Sequence, residues 1–179
     1  MLVFSSIIVI AGLSISCVFI YKKFTNKQKK SHQRRYKSAE KAFKLVQNFD
    51  NDAQIIVYLR KLDPFVFEEL LLIAVSQNKK CKIIRNDRYT GDGGIDGRFI
   101  LTQESGQLLY LIQAKRYTNH INNKDLIELS KKVKHEKAYK GLFIHTGKSG
   151  KATWQNMFES KNIEIFSGSK LVELIRYGF

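Results

Sequence analysis

Asp96, Gln113 and Lys115 are the residues of this chain whose types and spacing could do chemistry together. Gln113 and Lys115 stand two apart in the run Leu108 to Lys115, so on a strand both project to one face while Ala114 turns the other way into packing. A second strand-like run, Gly97 to Leu101, precedes it, and Glu104-Ser105-Gly106 supplies turn chemistry between the two. If the hairpin is centred near residues 104 to 106, the position opposite Asp96 falls between Gln113 and Lys115, because paired positions sum to a constant. One end of the hairpin then gathers a carboxylate, an amide and an ammonium. Next to them runs a glycine-rich loop, Thr90-Gly91-Asp92-Gly93-Gly94-Ile95, whose backbone can approach a ligand closely. Such a set fits phosphodiester hydrolysis. Asp96 offers a hard oxygen to Mg²⁺, the Gln113 side-chain oxygen adds to an octahedral shell otherwise filled by water, and Lys115 orients water and offsets charge on the phosphorane.

The elements that must position these residues are readable from periodicity and punctuation. Ala39, Ala42, Phe43 and Val46 recur at helical spacing between Ser38 and Phe49. Asp63-Pro64 reads as an N-cap with proline at the first helical position, and Phe67, Leu70, Leu71 and Ala74 follow at i, i+3, i+4, i+7. Cys81 to Arg85 is a short strand-like stretch before the turn-rich Asn86 to Gly94. After the hairpin, Asn123 opens a periodic segment with Leu126, Leu129 and Val133; Gly141 to His145 reads as a strand and Ala152 to Ser160 as a helix. Ile163 to Phe166 and Ser169 to Arg176 repeat the strand-then-helix order. Meandering strands followed by strand–helix alternation predict an α/β domain with a mixed central sheet flanked by helices.

Phe67-Glu68, Gly91 to Asp96, and Gln113-Ala114-Lys115-Arg116-Tyr117 resemble, in that order, the successive motifs of the Mrr-like restriction endonucleases, a branch of the PD-(D/E)xK nuclease superfamily. The resemblance covers roughly residues 62 to 176. It implies a restriction-endonuclease-like fold and a metal-dependent DNA endonuclease, using Mg²⁺ with Mn²⁺ as an alternative. In that reading Asp96 is a metal ligand, Lys115 the catalytic lysine, and Gln113 takes the place held by an acidic residue in most of the superfamily. With one negative charge fewer on the metal, the helix-borne acid matters more. The apolar face centres near Phe67, which puts Glu68 about 100° away at its border and Glu69 about 200° away toward solvent, so Glu68 is the candidate. Because one such site cuts one strand, a homodimer is expected.

Each of these residues has a plainer reading. Asp92 is accounted for as a turn residue between glycines, and Glu68 alone could be a solvated helix residue. His145 ends an apolar strand and is taken as a packed or turn histidine rather than a base; His120 and His135 have no partner at metal spacing. Arg116, Lys148 and Lys151 are candidate phosphate contacts, though basic loop residues are usually just solvated. Trp154 is assigned to core or interface. Two rival functions use the same fold: a catalytically silent nucleic-acid-binding module, or a membrane adaptor with relic motifs. Neither gives a physical reason for retaining Asp96, Gln113 and Lys115 together.

The balance of 31 Lys+Arg against 16 Asp+Glu, net +15 over 179 residues, favours polyanionic partners. Eight of those charges lie between Lys22 and Lys37 with no acid among them, which leaves about +7 for the rest. Cys17 and Cys81 are too far apart in sequence to suggest a disulfide framework or a metal site, which points to a reducing compartment. Leu2 to Tyr21 is uncharged and would span roughly 30 Å as a helix. Its positive charge follows rather than precedes it, which disfavours a cleaved signal peptide. The expected organisation is a transmembrane anchor at 1–21, a basic juxtamembrane stalk at 22–37 drawn to anionic lipid, a connecting helix region at 38–61 and the endonuclease domain at 62–179. The positive flank places the N-terminus outside and the domain in the cytoplasm. Carbonate extraction should leave the full-length chain with the membrane pellet; release into the supernatant would remove the anchor from this scheme.

Overall fold

Two hydrophobic clusters form on opposite faces of one sheet, and the parity of its strands decides which residue joins which. The computed structural model describes residues 30–85, 94–150 and 161–179. The chain divides into two units, Met1–Lys37 and Ser38–Phe179. In the first, residues 30–37 are helical. In the second, helix α1 covers 38–47, α2 Asp52–Lys61 and α3 Pro64–Ser76. Strands β1 (Cys81–Ile84), β2 (Gly97–Gln103) and β3 (Gly106–Lys115) follow, then α4 (Asn123–His135), β4 (Lys140–His145), β5 (Ile163–Phe166) and α5 (Gly168–Tyr177).

The capping chemistry works as the sequence indicates. Asp63 accepts from the backbone N–H groups of Phe65 and Val66, and Pro64 occupies the first turn of α3. The Asn122 side chain accepts from the Lys124 N–H and starts α4. Helix α2 was not separated from its surroundings in sequence, although its signals are present. The Asn51 side chain accepts from the Ala53 N–H, and Ile55 and Leu59, one turn apart, are buried.

The sheet order is β1-β2-β3-β4-β5, antiparallel across the first three strands and parallel from β3 through β5. This is the expected mixed sheet. On β3, Tyr110, Ile112 and Ala114 join Phe99, Leu142 and Ile144 under α1, α2, α3 and α5. Leu111 points the other way, with Phe143 and Ile165, under Leu126, Leu129 and Val133 of α4. Gln113 and Lys115 follow Leu111 on that second face.

Residues 38–61 do more than connect. Ala39, Ala42, Val46, Ile55 and Leu59 are buried in the first cluster, so α1 and α2 are part of the domain. The uncharged run Leu2 to Tyr21 lies outside the described residues, as do Lys151, Trp154, Asp92 and the expected helix over Ala152 to Ser160. Among the described residues no helix is long and apolar enough to cross a membrane.

Burying Val46, Ile55 and Leu59 contributes about 1.5–3 kcal/mol per side chain, a sum comparable with a domain's whole stability. A fragment beginning at Ser38 should therefore melt cooperatively, whereas one beginning at Leu62 should lack a thermal transition by circular dichroism.

Candidate active site

The observed hairpin pairs Gly97 with Ile112 and Gln103 with Gly106, and continuing that register sets Asp96 opposite Gln113. The backbone confirms the approach: the Asp96 N–H donates to the Ile112 carbonyl at 2.8 Å, and the Asp96 carboxylate accepts from the Ala114 N–H at 2.7 Å. Asp96 is thus tied, main chain and side chain, to the two residues flanking Gln113. A charge-assisted bond of this kind fixes the carboxylate's position rather than leaving it to a flexible rotamer.

Gln113 is buried at 3% exposure, and its Oε1 has no hydrogen-bond partner among the described residues. A buried amide oxygen left without a partner is destabilising by about 1–3 kcal/mol, so it marks a position that a ligand can satisfy. Gly94 closes over it with φ +88°, and a Cβ there would come within 3.2 Å of Gln113 Nε2. Glycine gives the loop both the left-handed backbone and the clearance. Lys115, two residues on, is half-buried at the strand end.

Among the described residues no three His, Cys, Asp or Glu side chains converge as a metal cage. The donor set is one carboxylate and one amide, with hard oxygens suited to Mg²⁺ or Mn²⁺. The orphaned Gln113 oxygen beside Asp96 fits such an ion.

The helix acids require a correction. Glu69, expected toward solvent, is buried at 3% exposure and ion-paired with Arg85 at the end of β1. Projection from Phe67 presumed a solvent face, but residues 69 to 75 of α3 are all buried, so the helix has almost none. Glu68 is half-buried one position earlier.

The basic candidates separate. Arg116 Nη1 donates to the carbonyls of Arg60 and Leu62, so this guanidinium caps the end of α2, a role the sequence did not indicate. Lys148 is exposed, in a bridge with His120 just beyond the ends of β3 and β4. Tyr117, in the same motif, donates to the Asp125 carboxylate; burial first and that bond second push its phenol up to about 12. Sequence gave no signal for Arg60 or Thr146. Arg60 donates to the Thr146 carbonyl at 2.9 Å from Nε and 2.5 Å from Nη2.

His145 pairs with Lys115 in the parallel register and is fully buried. Its Nδ1 accepts from the Gly147 N–H at 3.2 Å, so Nε2 carries the proton and faces Ser149 Oγ at 3.1 Å. Burial lowers its pKa from 6.5 to about 4, so near neutral pH it adds no charge beside Lys115. This agrees with a packed histidine. Below pH 6.5 the unfolded chain takes up the proton before the folded one does, so stability falls as pH drops from about 6.5 to about 4. Melting temperatures across that window should decline for the wild type, and the His145→Asn variant should lack this component of the decline.

Residues 59–175 match the Mrr catalytic-domain family, described as restriction endonuclease. The fold is also similar to the MspJI restriction endonuclease solved with a 27-mer oligonucleotide, with a TM-score of 0.56 and 20% identity over 71% of this chain and 33% of that one. The DNA modification-dependent restriction endonuclease AspBHI gives a TM-score of 0.52 and 22% identity over 70% and 35%. This chain spans about a third of the length of either. No curated protein matches it. With the family matched over well over half of the sequence, and the hairpin holding Asp96, Gln113 and Lys115 at one end, this chain belongs to the Mrr-type restriction endonucleases, the family of DNA-cutting enzymes.

Proposed function

We propose that the domain hydrolyses DNA phosphodiester bonds with a divalent cation, Mg²⁺ or Mn²⁺, held by Asp96 and Gln113 with Glu68 as the helix-borne acid. The observation that carries this reading is the buried Gln113 Oε1, which has no hydrogen-bond partner among the described residues, set across the hairpin from Asp96. A bound cation supplies Lewis acidity toward a phosphoryl oxygen. Asp96 contributes its negative charge from a position fixed by the Ala114 N–H. The Gln113 carbonyl contributes a neutral dipole, so the site carries less negative charge than a two-carboxylate version and repels the phosphodiester less. Lys115 orients the water that attacks phosphorus and stabilises the charge that develops as the ester bond to the leaving oxygen breaks. Lys148 is exposed beyond the same strand ends and contacts backbone phosphate, and Lys151 shares that role.

In the cell the reading is restriction of foreign or modified DNA, supported by the family and by a fold shared with a modification-dependent enzyme. Leu2 to Tyr21 anchors the chain in a membrane with the nuclease domain on the cytoplasmic side, and the basic residues between Lys22 and Lys37 engage anionic headgroups. Two copies cut the two strands.

Plasmid cleavage should depend on Mg²⁺ or Mn²⁺ and stop with EDTA. Asp96→Ala should abolish metal-stimulated cleavage with the fold retained, and Lys115→Ala should lower turnover by roughly 10²–10³ while DNA binding persists. Gln113→Ala should impair cleavage, and Gln113→Glu should keep it with an altered metal preference. Comparing methylated with unmethylated plasmid tests the modification reading. Full activity in pure Asp96→Ala or Lys115→Ala protein would overturn the catalytic assignment.

A further inference from the structure

Lys115 lies inside a closed circuit of hydrogen bonds that runs through three elements. The Arg60 side chain, from the last turn of α2, donates to the Thr146 carbonyl just past β4, at 2.9 and 2.5 Å. Thr146 makes two bonds at the end of β3: its N–H donates to the Lys115 carbonyl at 3.2 Å, and its Oγ1 donates to the carbonyl of Tyr117, two residues further on, at 2.9 Å. Arg116, covalently next to Lys115, returns to α2 by donating to the carbonyls of Arg60 and Leu62. Thr146 is buried at 1% exposure, and Gly147 behind it is so close to the segment following β3 that a Cβ would meet the Asn119 carbonyl oxygen at 2.4 Å. The strand ends therefore have no room to slide.

The arginine contacts of the circuit join residues 54 to 86 apart in sequence and meet the sheet at its reactive end. Both arginines donate to main-chain carbonyls, and the carbonyls of Arg60 and Leu62 stand at a helix end where no intrahelical donor remains. Arg116, one residue past β3, reaches the end of α2, whose Ile55 and Leu59 pack in the cluster on the sheet face opposite Gln113.

We propose that Arg60 and Arg116 are positioning residues, a clasp that sets the height and direction of Lys115 relative to Asp96 and Gln113. The proposal rests on the catalytic reading of Lys115. It makes α2 part of the nuclease unit and takes Arg116 away from the phosphate backbone. A misplacement on the order of 1 Å at a reacting group can lower turnover about 100-fold, and that sensitivity gives the clasp its effect.

The test uses the full-length protein with Mg²⁺ and plasmid DNA, comparing Arg60→Gln, Arg60→Lys, Arg116→Met and Arg116→Lys. Arg60→Gln and Arg116→Met should lower kcat about 10- to 100-fold with KM for DNA changed less than about twofold. Arg60→Lys, which keeps one charged donor, should recover part of the loss, and the Arg60→Gln/Arg116→Met double variant should be no slower than the slower single one. A lowered melting temperature with unchanged kcat well below it would overturn the clasp and leave a stabilising contact only. A raised KM with a shallower salt dependence would overturn it in favour of phosphate contacts. If Arg60→Gln fails to fold, the kcat of the lysine variants decides: wild-type kcat in both overturns the proposal. Lys115→Ala separates the two claims. Activity in that variant removes the catalytic reading, whereas its inactivity beside fully active arginine variants removes only the clasp.

Discussion

The antiparallel register between β2 and β3 is the constraint on which the rest of the site depends. Gly97 faces Ile112, so Asp96 falls beside Gln113 and within reach of the Ala114 N–H. A slip of one residue would carry Gln113 and Lys115 to the face covered by α3 and α5 and turn Ala114 outward, exchanging every buried and reactive position on the strand. The hydrophobic pattern forbids that slip. Tyr110, Ile112 and Ala114 serve one core while Leu111 serves the other. The packing energy of both cores thereby holds the chemistry in register.

Among the described strands, β3 alone is flanked on one side by an antiparallel neighbour and on the other by a parallel one. The antiparallel side brings the start of β2 to its reactive end. The parallel side brings the end of β4, with His145 and Thr146. Polar groups crowd together there because strand ends are where backbone donors and acceptors run out of ladder partners. The same end receives the close of α2 through Arg60 and Arg116. Its polar groups are managed unevenly: burial keeps His145 neutral, Glu69 is paired with Arg85, and the Gln113 oxygen has no hydrogen-bond partner among the described residues.

A glutamine in this setting has a distinct physical consequence. An amide oxygen can be buried at 3% exposure with far less desolvation penalty than a carboxylate, and it needs no counter-charge when the cation is absent. The burial of α3 on nearly all sides points the same way, since the carboxylate of Glu69 is buried there with an ion pair to Arg85.

Local signals were enough to fix most elements and the approach of Asp96 to Gln113 across the hairpin. Two strand-like runs and the turn chemistry between them mark the β2–β3 hairpin, Asp63-Pro64 marks the start of α3, and the summed pairing rule brings Asp96 near Gln113 and Lys115. These features are legible because hydrogen bonds and side-chain parity act between near neighbours. The resemblance to the Mrr-type family likewise rests on short segments, Phe67-Glu68, Gly91 to Asp96 and Gln113 to Tyr117. Only the tertiary structure decided that α1 and α2 belong to the core, because Val46, Ile55 and Leu59 have no internal mark of what covers them. It alone turned Glu69 inward, since a helical projection assumes a solvent face that α3 lacks. And it alone joined Arg60 to Thr146 and Arg116 to Leu62, because a bond from a side chain to a carbonyl 54 to 86 residues away imposes no pattern on the residues between.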